Sequence, residues 1–343
     1  MDTIQITQAA LPPGFIPPVE PTPVADGKWE GQRHLLHDGR IALDFYERHG
    51  RRTHCYLLDG VRISGVTTIL RILNKPQLIY WACNEMEADL LARMLPAKPE
   101  SETLPEDYDI GDLGPPPLPF EQRQVSYTVA ELQALITEAK SAHTRKRDAA
   151  GDVGTAAHDR ISRYIKSVIA AEHGNGKRGA CFDILLATPP VLTDFDLQVQ
   201  QACEGFYSWE SNHKVRWLST ERVIYCQLEL PGGLVIRYCG TMDFEAIVDG
   251  KFVCGDLKTA KGIYDEFYFQ TAGYMQAREH EHDGLHYDDR LILRLNKEGT
   301  KDGALPFEAH WLAGRDGFEA DRLAFNAAAC IHERLDALKG GGK

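Results

Sequence analysis

The stretch between Trp217 and Lys258 restricts the fold most. Four apolar segments of strand length, 217–228, 234–238, 242–248 and 252–258, follow one another with short breaks. Pro231-Gly232-Gly233 turns the chain. Asp249-Gly250 is a two-residue hairpin turn, because both residues tolerate the positive φ that a tight hairpin demands. A meander of this kind needs helices to cover it. The flanks supply them. Residues 194–212 place Phe195, Val199, Ala202, Phe206 and Trp209 at helical core spacing. Residues 264–279 predict another helix, strands follow near 291–295 and 307–312, and 318–338 close the chain as a helix. The expected fold class is α/β, a mixed β-sheet flanked by helices.

Upstream, Thr128 and Glu131 form a capping box that opens a helix. Gly151 and Gly154 are expected to break it near residue 150, with a second helix over 155–171 and a Gly/Pro-rich connection over 173–192. Residues 41–47 and 53–58 read as a hairpin around His49-Gly50. Helices are expected over 64–73 and from Pro76 towards Leu95. Residues 96–125 combine prolines with Glu100, Glu102, Glu106, Asp107, Asp109, Asp112 and Glu121, which predicts a long acidic loop. Residues 1–25 are rich in Pro, Gln and Thr and predict a disordered tail. The expected division is a tail (1–25), an N-terminal region of hairpin and helices (26–125) that can gate a substrate, and a core domain (126–343).

No run of 18 apolar residues is present, so no membrane span is expected. The first residues lack the basic and apolar regions of a secretory signal. The eight cysteines form no C-x-x-C pair and mostly sit in apolar runs, the pattern of reduced, buried thiols in the cytoplasm. A net charge of −12 counts against a nucleic-acid partner. That charge is uneven, however. Basic residues gather at Arg145-Lys146-Arg147, Arg160, Arg163 and Lys166, and the local field governs binding in a groove.

Four short motifs carry the candidate chemistry: Gly154-Thr155-Ala156-Ala157-His158, Gly240-Thr241-Met242-Asp243, Asp256-Leu257-Lys258 and Gln270-Thr271-Ala272-Gly273-Tyr274. Counting outward from the turn at 249–250, Asp243 falls opposite Asp256 on the returning strand, so two carboxylates converge. Lys258 lies two residues on, on the same face. With His158 and the backbone carbonyl of Leu257, the set is oxygen-rich and suits one or two Mg²⁺ or Mn²⁺ ions. The Lys258 ammonium can orient an attacking water and offset charge on a phosphate. Gln270 and Tyr274, four apart on one helix face, can bond phosphate oxygens. Arg145-Lys146-Arg147 reads equally as a solvated helix face or as a patch that tracks a nucleic-acid strand. Taken singly, each motif is commonplace; their ordered co-occurrence around a hairpin is not.

The set resembles the RecB-type branch of the PD-(D/E)XK nuclease superfamily, marked by a G-x-x-x-H helix, a G-x-x-D strand, a D/E-x-K strand and a Q-x-x-x-Y helix. The likeness covers residues 126–343. It implies a restriction-endonuclease-like core, metal binding by His158, Asp243 and Asp256, a catalytic Lys258, and DNA contacts from Gln270 and Tyr274. Glu221, on the preceding strand, matches an acidic position of the branch, and either a metal-ligand or a structural role is open to it. Ser64-Gly65-Val66-Thr67-Thr68-Ile69-Leu70, with Pro76 and Trp81, is similar to the front end of phage-type and mitochondrial exonucleases of the superfamily. The implied activity is a DNA exonuclease of phage or prophage type, acting in recombination or repair beside a single-strand annealing or recombination protein. An endonuclease of the same fold, or a DNA-binding recombination partner without turnover, are the alternatives. Some relatives hold an iron–sulfur cluster with three cysteines after the motifs. Here Cys330 alone follows Tyr274, so no cluster is expected. No Walker A motif is present, so no nucleotide cofactor is expected.

Overall fold

The computed structural model describes residues 11–26, 29–47, 54–73, 75–94, 126–173, 181–186, 192–230, 232–299 and 305–340. Two compact units divide the chain: residues 1–73 with 153–343, and residues 74–152.

The first unit contains two five-stranded sheets. An antiparallel meander comprises β1 (Thr22–Asp26), β2 (Trp29–Leu36), β3 (Ile41–Glu47), β4 (His54–Leu58) and β5 (Val61–Ile63), in that order. The central sheet has the order β10-β9-β8-β7-β6, built from β6 (Val215–Leu230), β7 (Leu234–Val248), β8 (Lys251–Lys258), β9 (Asp289–Leu295) and β10 (Phe307–Trp311). The sheet is mixed: β8 and β9 are parallel and the other pairs antiparallel. A parallel pair needs a crossover, and the helix Asp265–Glu281 provides it.

The helices are α1 (Val66–Ile69, continued by a 3-10 turn), α2 (Pro76–Met94), α3 (Val129–Ala139), α4 (Ala142–His173), α5 (Phe182–Leu185), α6 (Asp194–Ser211), α7 (Asp265–Glu281) and α8 (Gly314–Gly340). The class is α/β. On one side of the central sheet, residues of α4 and α6 pack on Trp217, Phe244 and Leu293. On the other, α7 and α8 pack on Ile236, Met242 and Cys254. Among the described residues no helix is long and apolar enough to cross a membrane.

Several expectations change. The region 29–73 does not separate from the core at residue 126. Leu43, Tyr56 and Ile63 bury themselves against Val223, Tyr225 and Cys239 of the central sheet. Part of the expected tail is ordered: β1 pairs with β2, Phe15 meets Phe252 edge-on, and Arg222 donates to the Ile16 carbonyl. Residues 1–10, residues 48–53 with the expected turn at His49-Gly50, and the acidic stretch 96–125 lie outside the described residues. The helix break falls at residues 140–141, and α4 runs unbroken through Gly151 and Gly154. A Cβ on Gly154 would sit 2.9 Å from Thr259 Oγ1. Gly154 therefore serves close approach to the end of β8, and that packing outweighs its low helix propensity, about 1 kcal/mol relative to Ala. Phe195, assigned to the core by spacing, is 42% exposed.

One irregularity shapes the site. Phe244, Ala246 and Val248 of β7 face α4 and α6, whereas Ile236, Tyr238 and Met242, of the same parity, face α7 and α8. The strand alternation slips by one residue at Asp243. Opposite this point, between the pairs Thr220↔Phe244 and Arg222↔Met242, sits Glu221 with φ of 52°. A left-handed residue within a strand re-aims its side chain, as a bulge does.

Candidate metal centre

The hairpin delivers Asp243 and Asp256 as expected. Asp249 and Gly250 take φ of 50° and 89°, and Val248 pairs with Lys251. The last pair of that ladder is Phe244↔Gly255, so Asp243 and Asp256 stand in the next rung. Gly255 is needed here, because a Cβ would lie 1.9 Å from the Phe244 ring. His158 comes from the middle of α4 rather than from a first helical turn.

One ligand atom each from His158, Glu221 and Asp243 lie within 4.8 Å of one another. Among the described residues no other such group of three His, Cys, Asp or Glu forms. His158 Nδ1 is 3.5 Å from Asp243 Oδ1, and the Leu257 N–H donates to Asp243 Oδ2 at 2.7 Å. Leu257, expected to offer its carbonyl, thus meets the site through its N–H. Asp256 stands beside the trio and not within it. Its Oδ2 pairs with Lys258 Nζ at 2.5 Å, and its Oδ1 accepts from Gln270 Nε2 at 3.2 Å. The Asp256 side chain is 1% exposed, against 13% for Asp243 and 26% for His158. Lys258 Nζ also lies 4.8 Å from the Phe267 ring centroid.

The electrostatics are those of carboxylates short of positive charge. Burial, and next the charge of Asp243, lift the Glu221 carboxyl to about 7. Burial also lifts Asp256, to about 6, with Asp243 adding to the rise and Lys258 opposing it. For Asp243 the penalty of burial is overcome by His158, Lys258 and the Leu257 N–H, so its carboxyl lies below the usual range. His158 is the reciprocal case: burial lowers its basicity, and Asp243 more than reverses that. Two carboxylates and an imidazole fit a hard divalent cation. So does Asp256 Oδ2, a buried carboxylate oxygen with no hydrogen-bond partner among the described residues apart from its ion pair.

Gln270 and Tyr274 lie on one face of α7, as their spacing predicts, but both point inward, 8% and 4% exposed. Gln270 Nε2 also donates to Tyr274 Oη at 2.8 Å. Arg145, Lys146 and Arg147 belong to the other compact unit. There Arg145 pairs with Asp89, Lys146 with Glu85 and Arg147 with Asp148, so acids offset the basic run. Two features of the site escape the motif pattern. Gly240 makes room for Tyr274, whose Cε1 would be 2.8 Å from an added Cβ. Tyr56 of β4 places its hydroxyl 3.0 Å from Thr241 Oγ1, two residues before Asp243. The spacing of the motifs signalled the first only as a glycine, and nothing in the sequence signalled the second.

No family model matches the chain, and no curated protein matches it. A solved structure described as "Crystal structure of SSO0001" is similar over 51% of this chain and 74% of that one, at 12% identity and a TM-score of 0.25. A superposition that loose carries no argument about fold or function.

Proposed function

We propose that the chain is a metal-dependent deoxyribonuclease of the RecB-type PD-(D/E)XK branch, with a restriction-endonuclease-like core, that digests DNA from an end. The observation that carries this reading is the convergence of His158, Glu221 and Asp243 beside the Asp256–Lys258 pair. His158, Glu221, Asp243 and Asp256 would hold Mg²⁺ or Mn²⁺. When bound, such an ion supplies charge neutralisation at the phosphate and an acidified water. Lys258 holds its ammonium at the Asp256 carboxylate, against the Phe267 ring, where it can orient the nucleophile and offset charge developing on the phosphate. His158 keeps Asp243 ionised through their contact, and the Leu257 N–H fixes the second oxygen of that carboxylate. Exposure rises from Asp256 through Asp243 to His158, so substrate reaches the site from the His158 side.

The test is purified protein with end-labelled linear single- and double-stranded DNA and a covalently closed circle, in Mg²⁺ and then Mn²⁺. Ion-dependent digestion of linear DNA to short products, with circles persisting and with Asp243→Asn inactive, is the expected result. Rapid cutting of circles selects the endonuclease. An absence of cleavage on every substrate with either ion refutes the reading.

A further inference from the structure

Gln270 and Tyr274 have the spacing of a phosphate-contacting pair, and the structure spends them elsewhere. Both Nε2 hydrogen bonds of Gln270 point inward, one to Asp256 Oδ1 and one to Tyr274 Oη. The Tyr274 ring is locked in place by its close approach to Gly240, three residues before Asp243. A buried amide whose donors are already paired cannot also reach a strand without breaking those bonds. What the arrangement does achieve is orientation. An amide donor fixes one oxygen of Asp256 without cancelling the carboxylate charge, and leaves Oδ2 turned towards the Lys258 ammonium, with no other donor among the described residues. Partners that orient a ligand in this way typically matter by about 10–100-fold in metal affinity.

We propose that Gln270 and Tyr274 are positioning residues for Asp256, setting the orientation in which that carboxylate meets the divalent cation, and are not strand contacts. The inference rests on the metal-nuclease reading. It also explains why the second and fourth motifs occur together. Gly240 admits the Tyr274 ring, Tyr274 holds Gln270, and Gln270 holds Asp256 across from Asp243.

The experiment uses the full chain as wild type, Gln270→Leu and Tyr274→Phe. Mn²⁺ affinity is measured by calorimetry, and affinity for a single-stranded oligonucleotide is measured separately in EDTA. Leucine keeps most of the glutamine volume and removes the amide; Tyr274→Phe removes one hydroxyl and carries the test should Gln270→Leu fail to fold. The expected result is Mn²⁺ affinity weakened roughly tenfold in Gln270→Leu and to a smaller extent in Tyr274→Phe. Oligonucleotide affinity stays unchanged, and cleavage recovers as Mn²⁺ is raised. Recovery with added Mn²⁺ separates a positioning role from general loosening of α7. Wild-type Mn²⁺ affinity in both variants, beside an active wild type, overturns this proposal alone. A wild type that neither binds Mn²⁺ nor cleaves DNA overturns it together with the nuclease reading.

Discussion

Replacing Glu221 by glutamine tests the electrostatic account of the site without any activity assay. Glu221 holds a left-handed backbone beside Asp243, and its carboxyl is lifted from 4.5 to about 7, by burial first and by the Asp243 charge second. An acid whose folded value exceeds its unfolded value favours the fold when protonated. That contribution is complete below 4.5 and is lost as the pH rises through 7. At about 1.4 kcal/mol per unit, the raised value therefore costs the metal-free fold about 3 kcal/mol at pH 8.5, where the side chain is ionised, and less than half of that at pH 5.5, where the folded protein keeps it protonated. Glu221→Gln keeps the shape and removes the charge. Its Tm in EDTA should exceed that of wild type by several degrees at pH 8.5, and by less than half as much at pH 5.5. Adding Mn²⁺ should reverse the order, because wild type gains binding energy that the variant has lost. Differential scanning calorimetry at the two pH values reads all of this. Equal shifts at both, or none, would refute the claim that Glu221 is a charge buried against Asp243.

Three further outcomes follow from the same geometry. Lys258→Met should lower kcat by about 10²–10³-fold while Mn²⁺ affinity holds or improves, and single-turnover cleavage at wild-type rate would show that the ammonium has no part in the chemistry. Gly240→Ala places a methyl group 2.8 Å from Tyr274 Cε1 and 3.4 Å from Val66 Cγ2. It should cost about 1–3 kcal/mol in urea melts, and an unchanged melt contradicts the close packing of β7 and α7. Glu245 is penalised by burial, yet Arg278 and Arg222, with Ser219 and Tyr287 as donors, pull it from 4.5 to about 2. A depressed acid stabilises the fold above 4.5 and loses that contribution as the pH falls through 2. Wild type should therefore shed about 3 kcal/mol along this limb, and Glu245→Gln should flatten it. An identical acid limb in the two proteins would count against the assignment.

Sequence alone determines those features whose cause lies within a few residues. The Asp249-Gly250 turn sets the register that puts Asp243 and Asp256 in one rung, because the turn's positive φ values suit those two residues. The Thr128–Glu131 capping box forms where the spacing places it. The succession of strands and helices follows from periodicity, which is likewise local. Tertiary structure decides whatever depends on residues far apart in the chain. Gly151 and Gly154 look like helix breakers until Thr259 comes to lie against the second of them. Gln270 and Tyr274 show a shared face in sequence, but whether that face meets solvent or Asp256 depends on where α7 docks. Arg145-Lys146-Arg147 reads as open positive charge until Asp89 and Glu85 of α2 are brought beside it. Glu221 is a strand residue by every local measure, yet its left-handed backbone stands opposite Asp243, where the facing of the β7 side chains slips by one residue. Packing between distant segments has no local signature, because the free energy that selects it arises only after both segments have folded into place.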